Sequence, residues 1–174
     1  CQVTAALLYF IALRPDPLRE ARRLVGAAPA PTTRPRLGDG FRAAGRTGRA
    51  GIAVVSLAHA TMVAVMAMTP VHLSHQGASL SVIGLTISLH TLGMFGLSPV
   101  FGWLSDRIGR VRVVVLGEVV FGASLIVGWT ASQYPAAVTI SLVLLGLGWS
   151  AVTVAGSAIV AESTAITDRP AVQG

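Results

Sequence analysis

The stretch Gly102-Trp103-Leu104-Ser105-Asp106-Arg107-Ile108-Gly109-Arg110-Val111-Arg112 gathers four charges inside a long, otherwise almost uncharged region. Gly102 removes a side chain where two helices would converge. Gly109 supplies a tight turn of the kind that takes a positive φ. Asp106 can cap the amide end of a neighbouring helix, and Arg107, Arg110 and Arg112 can bind a carboxylate, helix-end carbonyls or lipid phosphate. Taken singly, these residues describe either a basic anchor at a membrane face or a switch.

Outward from this turn the charges vanish. None lies between Arg49 and Asp106, and between Arg112 and Glu162 there is one, Glu118. The chain of 174 residues is 53% hydrophobic and 11% charged, against about a quarter charged in soluble domains. A water-facing surface needs polar stripes that these stretches lack, so their natural solvent is lipid. Four apolar runs result, Gly51 to Val71, Val82 to Leu104, Val111 to Ala131 and Ala136 to Val160, of 21 to 25 residues each. Each suffices for a helix across a hydrocarbon core of roughly 30 Å. The expected fold is an all-α membrane protein, a polytopic transmembrane helix bundle. Pairs of small residues four apart, Ser98 with Gly102, Gly146 with Ser150 and Ala151 with Ala155, fit close helix packing in lipid. Pro70 and Pro99 are expected kink sites.

The remaining charge is arginine. Of 13 arginines, with no lysine, nine lie between Arg14 and Arg49. That placement argues against nucleic-acid binding and for a loop beside membrane spans. Segment 14–50, with Pro15, Pro17, Pro29, Pro31 and Pro35, reads as a basic linker. Its part Pro17 to Val25 is either a short amphipathic helix on headgroups or a solvated loop. Residues 1–13 are apolar but too short to span, and read as the end of a helix that begins upstream. The arginine-bearing loops, 14–50 and 105–112, alternate with connectors His72 to Ser81 and Ser132 to Pro135 that carry none. By the positive-inside rule both basic loops are cytoplasmic. The single cysteine, Cys1, excludes an internal disulfide and a multi-cysteine zinc site.

The turn from Gly102 to Arg112 resembles the signature loop of the major facilitator superfamily, Gly-x-Leu-(Ala/Ser)-Asp-Arg-x-Gly-Arg-(Arg/Lys). Gly102, Leu104, Ser105, Asp106, Arg107, Gly109 and Arg110 match in place, while Val111 departs and Arg112 brings the second basic group one position later. In that family the loop follows the second and eighth of twelve helices. The preceding helix end and basic linker resemble the sixth helix and central loop, which implies that the four spans are helices seven to ten of a twelve-helix major facilitator fold. The missing N-terminal half of the same chain would then be the principal partner, besides the lipid bilayer and a small-molecule substrate. The ending, Arg169 to Gly174, resembles the lead into helix eleven of drug-efflux-like members. The resemblance implies a rocker mechanism around a central cavity, with Asp106, Arg107 and Arg110 in a cytoplasmic charge latch.

Polar groups inside the spans are candidate contacts for substrate or proton. Glu118 is either a proton carrier, a partner of the arginines at 107–112, or a protonated group in an interhelical hydrogen bond. His59 shares a helical face with Ser56, Val63 and Met66; on the cavity-lining helix seven that the resemblance implies, it is a titratable substrate contact, and otherwise a core histidine between helices. His90 carries the same alternatives. Trp149 stands beside Ser150, Thr153 and Ser157, which follow an i, i+3, i+7 face that either meets substrate or bonds to its own helix. Glu162 reads as an anchor or salt-bridge partner. His72 and His75, without an acid or cysteine nearby, are a poor metal pair and read as solvated.

No phosphate loop, metalloprotease helix or internal nucleophile motif is present, so neither catalysis nor a cofactor is expected. The expected function is a secondary active transporter of the plasma (inner) membrane, coupled to an ion, expected to be the proton, and exporting a small organic molecule by alternating access. The competing reading is a non-transporting scaffold or sensor of the same fold.

Overall fold

Lipid offers no hydrogen bonds to the backbone, so a long apolar run satisfies its N–H and C=O groups by folding as a helix. The computed structural model describes residues 23–24, 41–42 and 44–164. The chain divides into two units, and Arg46–Glu162 is the one that carries the contacts below. The expected helix end over 1–13, most of the expected linker over 14–50 and the closing stretch 169–174 lie outside the described residues.

The helices are α1 (Gly45–His75), α2 (Leu80–Phe95), α3 (Ser98–Ile108), α4 (Arg110–Thr130) and α5 (Pro135–Ser163). With α2 and α3 taken together as Leu80–Ile108, the described residues hold four helices long and apolar enough to cross a membrane. The chain is an all-α membrane bundle.

Local chemistry explains the ends. Gly77, at φ +75°, closes α1: its N–H donates to the Ser74 carbonyl at 3.0 Å, and the Ala78 N–H donates to Leu73 at 3.0 Å. This pair of bonds needs a left-handed residue, which glycine adopts without a Cβ clash. The Ser79 side chain then caps α2 by accepting from the Val82 N–H.

Two bounds differ from the sequence reading. Helix α1 starts at Gly45 rather than Gly51, taking in Arg46 and Arg49. Nothing between Gly45 and Gly51 stops the hydrogen-bond ladder, so the helix outruns its apolar part. The run Val82 to Leu104 is interrupted at Gly96 and Leu97. Pro99 therefore sits in the first turn of α3 rather than inside a continuous helix, where its missing N–H costs nothing. Pro70 lies inside α1 as expected.

Helix α5 is the hub of this unit. Three of its glycines face three different helices. A Cβ at Gly146 would lie 2.6 Å from the His90 carbonyl of α2, one at Gly148 would lie 2.8 Å from the Phe121 amide of α4, and one at Gly156 would lie 2.5 Å from Val55 of α1. Small residues thus set the close approach that drives association where lipid removes any hydrophobic gain. Around them, Leu145 and Val152 pack with Ala58, Met62 and Phe121. Leu142 packs with Leu73 and Val138. Ala151 and Ala155 pack with Val113, flanked by Phe101 and Leu104.

Candidate functional site: an arginine pair and an aromatic cluster

The signature turn consists of one residue. Gly109, at φ +94° and ψ 144°, joins α3 directly to α4, and its N–H donates to the Ser105 carbonyl at 3.1 Å. The positive φ expected there is present. The turn holds Arg110 at the first position of α4, where its guanidinium pairs with the Glu162 carboxylate and donates to the Ala158 carbonyl at 3.4 Å. Arg110 therefore joins the start of α4 to the last turn of α5, where the helix dipole also favours a cation. Arg112 donates to the Ile108 carbonyl at 3.2 Å, across the Gly109 break. Arg107 lies over the Trp103 ring, 4.9 Å from its centroid, a cation–π contact that the sequence reading did not anticipate.

Two expectations for this turn need correction. Asp106 is exposed, and the expected cap on the amide end of a neighbouring helix is not made among the described residues. Gly102 has open space where its Cβ would be, so no helix converges on it within this unit.

A second cluster lies between α1, α2 and α5. The Trp149 Nε1–H donates to His59 Nδ1 at 3.2 Å, and the two ring centroids are 5.8 Å apart. Phe95 approaches Trp149 edge-on, with centroids 6.1 Å apart and an interplanar angle of 77°. His59 and Phe95 are exposed and Trp149 is half-buried. Along the α1 face expected to accompany His59, Ser56 and Val63 are exposed, whereas Met66 is turned into the packing beside Leu145 and Leu142. Phe95 was missed because no local spacing relates three separate helices.

The other polar candidates differ in their surroundings. His90 is fully buried, and its Nδ1 donates to the Leu142 carbonyl at 2.7 Å. Near it Thr86 and Thr139 share a hydrogen bond of 2.7 Å between α2 and α5. Ser150, also buried, meets Ser98 of α3 at 3.1 Å. The Thr153 hydroxyl is enclosed and has no hydrogen-bond partner among the described residues, and Ser157 is exposed. Ser150, Thr153 and Ser157 share one side of α5 as their spacing expects, yet they have three different environments. Glu118 is exposed on α4, and no hydrogen bond or ion pair joins it to another described residue. The expected pairing with the arginines at 107–112 does not form, because Arg110 and Arg112 are committed elsewhere.

At the arginine-free end, His72 is not simply solvated. Its Nε2 lies 2.9 Å from the Ser132 carbonyl and 2.9 Å from Gln76 Nε2, and the Gln76 amide also donates to Ser132. These contacts tie the end of α1 to the α4–α5 connector. Beside them runs an apolar groove of about 550 Å³ between α1, α4 and α5. Among the described residues no group of three or more His, Cys, Asp or Glu could hold a metal.

The family model of the Major Facilitator Superfamily matches residues 50–174. The chain belongs to the major facilitator superfamily. It is 36% identical over 172 residues to an uncharacterized MFS-type transporter, YdeG, of Bacillus subtilis, and 32% identical over 176 residues to a second, YddS, of the same organism. These alignments cover 98% and 99% of this chain and 40% of each relative. A third relative, the riboflavin transporter RfnT of Brucella anthropi, is 29% identical over 119 residues, covering 67% of this chain and 29% of that protein. No solved structure matches the chain. This major facilitator chain thus spans about two fifths of the length of the curated relatives it matches, and the signature turn falls inside the matched region.

Proposed function

We propose that this chain is part of the C-terminal half of a secondary active transporter of the plasma membrane, which exports a small organic molecule by alternating access in exchange for an ion, the proton. In this reading α1, the α2–α3 pair, α4 and α5 are helices seven to ten, the segment before α1 is the central cytoplasmic linker, and the arginine-bearing ends face the cytoplasm. The observation that carries the reading is the Arg110–Glu162 pair, which makes the signature turn a link between two helix ends rather than a free basic anchor. Both partners are partly exposed, so the pair contributes on the order of 1 kcal/mol. In this reading α4 and α5 belong to the same half, so the pair holds the turn against its own half and sets how Asp106 and Arg107 are presented to the other half. The names of the relatives support transport as the activity.

The latch in this reading is Arg110 with Glu162, steadied by Arg107 on Trp103. Asp106, exposed in this arrangement, is the group left to pair in the opposite state. Glu118 is a proton carrier in the same scheme, since an unpaired carboxylate inside a span is costly unless it binds a proton.

The test uses the whole protein in proteoliposomes loaded with a mixed library of small organic solutes under an imposed proton gradient, followed by mass spectrometry. Gradient-dependent loss of at least one solute is expected, falling in Asp106→Asn and Arg110→Ala. A library left unchanged by the gradient favours the scaffold or sensor.

A further inference from the structure

The aromatic cluster carries more chemical information than a generic cavity wall. An indole nitrogen only donates, so the 3.2 Å bond from Trp149 makes His59 Nδ1 the acceptor. A neutral imidazole that accepts at Nδ1 carries its proton at Nε2. No hydrogen bond joins Nε2 to another described residue, and the His59 side chain is exposed. Trp149 thereby sets the tautomer of His59 and leaves one directed N–H donor free.

Among the described residues the surroundings are aromatic and uncharged. Phe95 is 61% exposed and meets the half-buried Trp149 in a T-shaped contact, so Phe95 keeps ring surface on which a flat molecule can stack. No Asp, Glu, Lys or Arg lies in α1 after Arg49, anywhere in α2, or in α5 before Glu162. His90, the titratable group of α2, is buried against Leu142. Glu118, on α4, makes no hydrogen bond to any of the three residues. A charged ligand would lose its hydration here without gaining a counter-ion. A neutral ligand that only accepts would satisfy the one free donor.

We propose that His59, Phe95 and Trp149 form a binding site for planar, uncharged aromatic molecules that carry a hydrogen-bond acceptor, with the His59 Nε2–H meeting that acceptor. The inference rests on the reading that this face opens to a transport cavity. It assigns the substrate class by ring stacking and one hydrogen bond, with Trp149 acting both as a stacking surface and as the positioning residue for His59.

Equilibrium binding to the whole protein in nanodiscs tests it with three probes: caffeine, which is planar, neutral and only accepts; 1-methylnicotinamide, which is planar and cationic; and N-methyl-2-piperidone, a neutral acceptor without an aromatic ring. Caffeine is expected to bind saturably, with the other two weaker by about tenfold or more. His59→Phe keeps a ring but no donor and is expected to weaken caffeine about tenfold with little change in thermal unfolding. His59→Gln restores an N–H donor and is expected to recover most of the affinity. Trp149→Phe is expected to weaken caffeine several-fold, as ring surface and tautomer control are lost together. Absence of saturable caffeine binding, equal binding of all three probes, or an unchanged affinity in His59→Phe would overturn the assignment. Caffeine binding together with a solute library left unchanged by the gradient would leave the site standing and remove the transporter reading. Gradient-driven flux of other solutes without caffeine binding would do the reverse.

Discussion

At Gly148 of α5 a single hydrogen atom decides whether α4 can pack. A Cβ there would meet the Phe121 amide at 2.8 Å and the Gly117 carbonyl at 2.9 Å, both backbone atoms that cannot rotate away. Gly148→Leu is therefore expected to cost at least the roughly 1–3 kcal/mol of ordinary overpacking, seen as a clear fall in the thermal unfolding temperature of the whole protein in detergent. An unchanged unfolding temperature would show that α4 does not approach α5 as described. The Ser98–Ser150 bond is a milder case, because the hydroxyls can turn back to their own helices. Ser150→Ala is expected to cost about 0.6 kcal/mol, and a loss of several kcal/mol in the same measurement would contradict that. The recurrence of small residues was legible in the sequence, since Gly146, Ser150, Ala151 and Ala155 are all buried. Which helix each one meets was not, because spacing along one helix carries no register against another. Gly102 shows the same limit, since no helix among the described residues approaches it.

Helix identity was legible from apolar length, whereas helix ends depended on hydrogen bonds that hydropathy does not record. Arg46 and Arg49 mark the end of the apolar run but not of α1, which continues to Gly45. At the other end Gly77 stops α1 through its left-handed conformation and hands the chain to the Ser79 cap. Gly77→Ala forces an L-residue into that region at a cost of about 1–2 kcal/mol. The expected readout is a lowering of the unfolding temperature by a few degrees, on the order of 2–4 °C per kcal/mol for a chain of this size. No lowering would mean that the cap is not maintained. The break at Gly96 and Leu97 escaped the sequence reading because the residues around it stay apolar, and only the missing ladder separates α2 from α3. That break matters to the site, since it leaves Phe95 at the end of α2 against Trp149.

Across the whole unit, the arginine-bearing ends of α1, α3 and α4 gather at one end, and His72, Gln76 and Ser132 close the other. Gly51 of α1 meets Val160 and Arg110 of α4 meets Glu162, so both contacts fall on the same end of α5. The alternation of basic and arginine-free loops made this arrangement readable from charge alone, and the positive-inside rule assigns its orientation. In the whole protein with every native cysteine replaced by Ser, Gln133→Cys is expected to react with an impermeant maleimide added outside intact cells, and Arg112→Cys only after permeabilisation. The reverse pattern would invert the proposed topology. What charge could not supply was the partner of each arginine, because Glu162 lies far from Arg110 in sequence and meets it only through the packing of α4 on α5. The most direct test of the proposed cycle is the distance distribution, by pulsed electron resonance in nanodiscs, between a label at Arg112 and one on the cytoplasmic side of the other half of the whole protein. Two populations are expected, with Arg110→Ala and Glu162→Gln shifting their ratio in the same direction and by similar amounts. One unchanging distance in all three proteins would contradict a latch that controls alternating access.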